Sequence, residues 1–225
     1  MISVLLAVKA ELSANQFLPE AVGTVLSQSH ADWELLIGVN CDDETETFAE
    51  ASKWAVADQR IQVHSMPTIH NRGDAMNSLL ELSCGDAIAA LDVDDLWHPL
   101  KLERQLPFID RYTVVGTLGC YFGSRYQDIE VPPGPIDKKQ FLVINPILHA
   151  SAIIQRPFAR WVVSDNRLIP TDYVRWLDMA ANGSTFYNVP EMLTFIRIHE
   201  DRWSARYDTR AIITKLQENY AAKLQ

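Results

Sequence analysis

Three carboxylates within four residues, Asp92, Asp94 and Asp95, follow directly on the apolar run Ala87 to Leu91, with only Val93 among them. Acids so close repel one another unless a cation, a helix N-terminus or hydrogen-bond donors compensate. Their hard oxygens suit Mg²⁺ or Mn²⁺, and an ion held there could bridge to phosphate groups. The plainer reading is a solvated loop in which Asp95 caps the helix after Pro99. In the far half, Asp172 is an acid that opens a helical period. Its plainer role is that of an N-terminal acid favourable to the helix dipole. Arg197 and His199 end a strand-like run, and a single His in that setting is more often a hydrogen-bonded structural residue.

The elements that must position these residues follow from hydrophobic periodicity. Ile2 to Val8 is a continuous apolar, β-branched run, as in a strand covered on both faces. Phe17 to Gln28 carries a helical apolar stripe, with Pro19 placed in its first turn. Trp33 to Val39 repeats the strand pattern, and Asn40-Cys41-Asp42-Asp43 leads into a helix over Thr47 to Ala57. Arg60 to His64 reads as a strand, Asn71 to Leu82 as a helix and Ala87 to Leu91 as a buried strand. Strand and helix thus alternate, which predicts an α/β fold with a mostly parallel, doubly wound sheet. The acids then fall at the carboxyl end of a strand, where such sheets bind ligands.

After a helix over Lys101 to Ile109 the pattern becomes mixed: Val114 to Phe122, a Pro-rich stretch at Pro132 to Pro135, and Ile147 to Gln155. A helix is predicted over Thr171 to Ala181, strands over Thr185 to Val189 and Leu193 to Ile198, and a final helix over Thr209 to Leu224. His149 and the tryptophans 161, 176 and 203 could line a binding groove with their aromatic faces or could be core.

A chain of 225 residues with 48% hydrophobic and 22% charged residues is expected to pack as one globular α/β domain. Its net charge of −9 argues against a nucleic-acid partner. No apolar run reaches the roughly 20 residues of a transmembrane helix, and no export signal is evident at Met1. Three widely spaced cysteines, Cys41, Cys84 and Cys120, suggest reduced thiols in a cytoplasmic protein, with Cys84 and Cys120 as small core residues.

The order of these segments resembles the family 2 glycosyltransferases over most of the chain. The likeness begins at Ile2-Ser3-Val4 and includes Leu26-Ser27-Gln28, Trp33 to Ile37, and Asn71-Arg72-Gly73 with Asn77. It centres on Ala90 to Trp97 with Pro99, Lys101-Leu102-Glu103 and Gln105-Leu106, which is similar to the family's Asp-x-Asp region. Thr171-Asp172-Tyr173 with Trp176-Leu177, and Arg197-Ile198-His199 with Ser204, resemble two later family segments.

The resemblance implies a single GT-A domain over 1–225, with a Rossmann-like, mostly parallel central sheet flanked by helices. Its nucleotide-sugar half would be 1–110, its mixed acceptor half 111–204 and its C-terminal helix 205–225. It implies an inverting, metal-dependent glycosyltransferase in which Asp172 is the base and Asp94 and His199 hold Mn²⁺ or Mg²⁺. Asp92 would approach the ribose, joined in donor binding by Val8, Asn40, Arg72, Val93, Asp95 and Arg197. The donor would be a nucleotide-diphosphate sugar, a UDP-sugar first. The acceptor would be a glycan or lipid-linked glycan in surface polysaccharide or glycoconjugate synthesis, made in the cytoplasm or at the inner membrane face. The chain departs from the family pattern at Lys9-Ala10, Val39-Asn40, Met76 and Thr171. The alternative is a catalytically weak or inactive GT-A domain that binds a nucleotide sugar or a partner.

Overall fold

The computed structural model describes residues 1–9, 12–40, 45–166, 168–200 and 208–224. Strand β1 (Ile2–Lys9) is buried along almost its whole length, as a strand between two helical layers must be. β2 (Trp33–Asn40) lies beside it, parallel, with Val8 opposite Val39 and Lys9 opposite Asn40. β3 (Ile61–Met66) continues the parallel sheet beyond β2, and β4 (Ala87–Ala90) flanks the other side of β1. Helices α1 (Leu12–Leu26), α2 (Thr45–Ala57) and α3 (Arg72–Leu82) make the crossovers that parallel neighbours require.

Beyond β4 the sheet reverses twice. β9 (Ile153–Gln155) runs antiparallel both to β4 and to β6 (Val114–Gly123), and β6 is parallel to β10 (Phe186–Ile198). The full order is β3-β2-β1-β4-β9-β6-β10-β5, where β5 (Leu96–Trp97) pairs antiparallel with β10. Two short strands, β7 (Gln127–Ile129) and β8 (Gly134–Ile136), add to β6 and β10. Because two reversals restore the direction, β1, β2, β4 and β10 deliver their carboxyl ends to the same edge.

Side chains alternate across β1, so Leu5 enters one core and Val4 and Leu6 the other. One face packs on α1 through Leu18 and Val22 and on α4 (Lys101–Ile109) through Leu102. The other packs on α3 through Met76 and Leu79 and on α5 (Thr171–Ala181) through Trp176, with Ile213 and Leu216 of α6 (Arg210–Tyr220) against it. That second core joins Leu5 and Leu36 to Trp176 and Phe186, residues from both halves of the chain.

Several boundaries differ from the sequence reading. α1 begins at Leu12, so Pro19 lies inside the helix and not in its first turn. The two runs Thr185 to Val189 and Leu193 to Ile198 form one strand, β10, whose register against β6 shifts between Val189 and Met192 and again before Thr194. Pro190 has no N–H to give a ladder, and a bulge accommodates it. Ile147 to Gln155 contains a 3-10 turn, His149–Ser151, before the short β9. Cys84 is exposed and Cys120 half-buried, contrary to the expected core positions. Cys84 follows the C-cap of α3, and its backbone N–H donates to the Glu34 carboxylate. Cys41 lies outside the described residues. Among the described residues no helix is long and apolar enough to cross a membrane.

Candidate active site

The segment Asp92 to Asp95 is a turn, closed by the Asp95 N–H donating to the Asp92 carbonyl at 3.1 Å. It is clamped at both ends. Leu91 N–H still donates to Leu5 at the end of β4, and beyond the turn β5 pairs Leu96 with Phe195 and Trp97 with Thr194. That pairing carries the end of β10 alongside the acids. The Arg197 backbone N–H donates to Asp95 Oδ1 at 3.0 Å, and its Nε donates to the Asp94 carbonyl at 2.9 Å. The same guanidinium pairs with Glu20 at 2.6 Å and lies between the rings of Phe17 and Phe122. His199 Nε2 stands 3.0 Å from Asp94 Oδ2, with its ring against Phe17.

Asp95 is therefore a buried acceptor for β10. The expectation that it caps α4 fails, because Leu100 stands at that N-cap with no side-chain bond. Val93 packs against the core beneath the turn.

Arg72 opens α3, where the Asn71 side chain caps the helix by accepting from the Asp74 N–H at 2.8 Å. From there its guanidinium forms an ion pair with Asp92. Burial pushes the Asp92 carboxyl above the ordinary carboxylate range; Arg72 opposes that shift, while Asp94 and Asp172 add to it. The first turn of α3 is held close to the segment after Trp161. A Cβ on Gly73 would stand 2.5 Å from the Val162 carbonyl oxygen, and Asn77 bonds both the N–H and the carbonyl of Trp161.

Asp172 lies in the first turn of α5, and Asn145 Nδ2 donates to its Oδ2 at 3.3 Å. Its charge adds to the raising of the Asp92 carboxyl. One turn along α5, Arg175 is only 2% exposed, stacked 4.2 Å from the Trp161 ring centroid and 4.9 Å from that of Trp176. Burial pushes its guanidinium down to about 9, with Arg72 adding to the shift and Asp172 opposing it. His149 packs near both tryptophans, and burial, then Arg72 and Arg175, holds it well below the usual imidazole range. Trp203 and Ser204 lie outside the described residues.

The sequence reading missed Asn145, Arg175 and Glu20. Arg175 left one signal: it interrupts the inward stripe of Tyr173, Trp176 and Leu177 yet is buried with them. The remaining candidates stand at the ends of β1 and β2. The Val8 side chain is wholly in the core, and its backbone pairs with Val39 of β2. Asn40 is nearly buried and donates to the Ile69 carbonyl at 3.2 Å. Met76 is a core residue of α3.

Among the described residues no three His, Cys, Asp or Glu side chains gather to hold a metal ion. Asp94 and His199 are nonetheless side by side, and the Asp94 carboxylate fits Mg²⁺ or Mn²⁺, hard ions commonly held by one or two carboxylates together with substrate phosphates.

The family model described as Glycosyl transferase family 2 matches residues 3–156. EpsE of Bacillus subtilis (strain 168), a provisionally named glycosyltransferase, is 31% identical, over 87% of this chain and 73% of its own. The fold is that of TarS from S. aureus, solved in complex with UDP-GlcNAc, with a TM-score of 0.72 at 14% identity. A mannosyltransferase from Pyrobaculum calidifontis, solved with GDP-Man and Mn²⁺, superposes with a TM-score of 0.71 at 14% identity. Both likenesses cover 99% of this chain, which spans 66% and 64% of those solved chains, and both are GT-A folds.

Proposed function

The chain belongs to glycosyl transferase family 2, and from that premise we propose that it is an inverting, metal-dependent transferase using a nucleotide-diphosphate sugar. The observation that carries the reading is the meeting of Asp94 and His199, 105 residues apart in sequence, beside an Asp92 that feels the charge of Asp172. The reading places the diphosphate over the Asp92 to Asp95 turn, with Arg197 beside it. Asp92, steadied by Arg72, accepts from the ribose hydroxyls. A Mn²⁺ or Mg²⁺ at Asp94 and His199 would supply the positive charge that offsets the charge gathering on the leaving diphosphate.

Asp172 takes the proton of an acceptor hydroxyl while that oxygen bonds to the anomeric carbon and the bond to the diphosphate breaks, which inverts the centre. Asn145 orients the carboxylate for this step. Since TarS was solved with UDP-GlcNAc and the mannosyltransferase with GDP-Man, the fold accommodates either base; a UDP-sugar remains the first candidate. The acceptor in this reading is a glycan or lipid-linked glycan at the inner face of a membrane, in surface polysaccharide synthesis.

Asp172→Asn and Asp94→Asn should each lower transfer by about 10²-fold or more while leaving the melting temperature within a few degrees of the parent. Full activity in both would sink the mechanism. A second reading, donor binding without turnover, draws on Val39 being core and on the Asn40 amide being engaged by Ile69. Calorimetric titration of a donor panel in Mn²⁺, paired with a turnover assay, separates the two. Tight binding with neither transfer nor donor hydrolysis favours the binding module.

A further inference from the structure

Seven of the eleven buried side-chain nitrogens and oxygens that lack a hydrogen-bond partner among the described residues belong to four side chains in mutual contact. They are Nδ1 and Nε2 of His149, Nε1 of Trp161, Nε1 of Trp176, and Nε, Nη1 and Nη2 of Arg175. Folded proteins leave few buried polar groups unsatisfied, and concentrating them in one place calls for a specific reason. A guanidinium is the most costly group to leave so, because it buries a charge together with five donors.

The tryptophans stack on Arg175 but give it no acceptor. The nearest charge of like sign, on Arg72, disfavours it further, and Arg72 is already paired with Asp92. Almost every unsatisfied atom is a donor, so the missing complement is an acceptor, and its charge should be negative. One buried, unpaired guanidinium matches a monoanion better than a dianionic phosphate. Planar, bidentate geometry favours carboxylate. Indole faces around it suit a sugar ring.

We propose that Arg175, His149, Trp161 and Trp176 form a recognition subsite for a carboxylate on a substrate sugar, a hexuronate, within charge reach of Asp172 and Arg72. The proposal deepens the transferase reading and rests on it for the ligand being a sugar. His149 is the most exposed of the four, half-buried where Trp161 is 7% exposed, and Trp161 lies outside any helix or strand.

The test titrates the whole protein with sodium glucuronate and with methyl glucoside at fixed ionic strength, reading tryptophan fluorescence. The wild type should bind glucuronate at least ~10-fold more tightly than the neutral sugar, as bonds to a charged group imply. R175M should lose that preference and R175K keep part of it. Ligand-free R175M should melt at or above the wild-type temperature, since it removes an unpaired buried charge. Equal or undetectable binding of both sugars by the wild type overturns the proposal, as does a preference retained in R175M. So does a ligand-free R175M that melts far below wild type or does not fold, either of which would make Arg175 a structural residue.

A second arm compares UDP-glucuronate with UDP-glucose in Mn²⁺. A preference there assigns the carboxylate to the donor. Tied UDP-sugars, with free glucuronate still preferred in the presence of UDP, assign it to the acceptor. UDP alone reports on the underlying reading: no UDP binding beside an intact glucuronate preference removes a UDP-dependent transferase and leaves the subsite, and the opposite pattern removes only the subsite.

Discussion

Asp92 and Asp94 stand two residues apart in one turn, yet Asp92 is held by Arg72 and Asp94 by His199. Burial raises the Asp92 carboxyl, and that has a signed consequence for stability. A carboxyl whose folded-state value lies above its unfolded value near 3.8 favours the fold while it is protonated. That contribution is complete below the unfolded value and is lost as pH rises through the raised one. Asp92→Asn should therefore flatten the decline in melting temperature of the ligand-free protein as pH rises from about 4 towards neutrality. A steeper decline in the variant would contradict the assignment. Asp92 and Asp94 stood out in the sequence as acids after a buried strand, whereas Arg197 and His199 were singled out by resemblance to the family, and the fold brings both beside Asp94. Asn145 and Glu20 were not, since neither has a local pattern and only tertiary structure brings them to Asp172 and Arg197.

Helices and strands were legible where their periodicity ran unbroken, as in β1, α4 and α5. They blurred where a proline suggested a boundary that the surrounding packing overrides, at Pro19 within α1 and at Pro190 within β10. The α3 start shows how closely one element fixes another. A methyl at Gly73 would stand 2.5 Å from the Val162 carbonyl, so Gly73→Ala should displace the Trp161 segment and cost ~1–3 kcal/mol in denaturant unfolding. An unchanged midpoint would mean that the two segments yield freely. At the other end of the chain, the Tyr220 hydroxyl donates to Asp178 and ties α6 to α5. Burial, then the Asp178 carboxylate, pushes the phenol up to about 12. Its bond is fully present below the ordinary phenol value near 10 and is lost as pH rises towards 12. Tyr220→Phe should cost ~1 kcal/mol at neutral pH and speed amide exchange in α6 above all. Exchange unchanged in α6 would count against the tie.

Residues 1–110 and 111–204 share one sheet and both of its main cores, with Leu36 and Phe186 in one cluster and Val4 and Ile153 in the other. Thermal unfolding should then be a single transition seen alike by circular dichroism and fluorescence, and two separated transitions would argue for independent halves. Donor with Mn²⁺ at about a hundred times its dissociation constant should raise that transition by roughly 5–10 °C, from ~2.7 kcal/mol of linkage in a domain of this size. No shift with any nucleotide sugar would count against the transferase reading. The parallel half of the sheet was legible in the sequence; the three-residue β9 was seen only as the end of the longer run Ile147 to Gln155, because so short a strand has no period of its own.

Yet β9 has the widest reach of any strand here. By running against both neighbours it sets β6 and β10 in the direction of β4, so the carboxyl ends of β1, β2, β4 and β10 line a single rim. Under the transferase reading, changes to the loops along that rim should alter which sugar is used, while the weave beneath them is inherited unaltered.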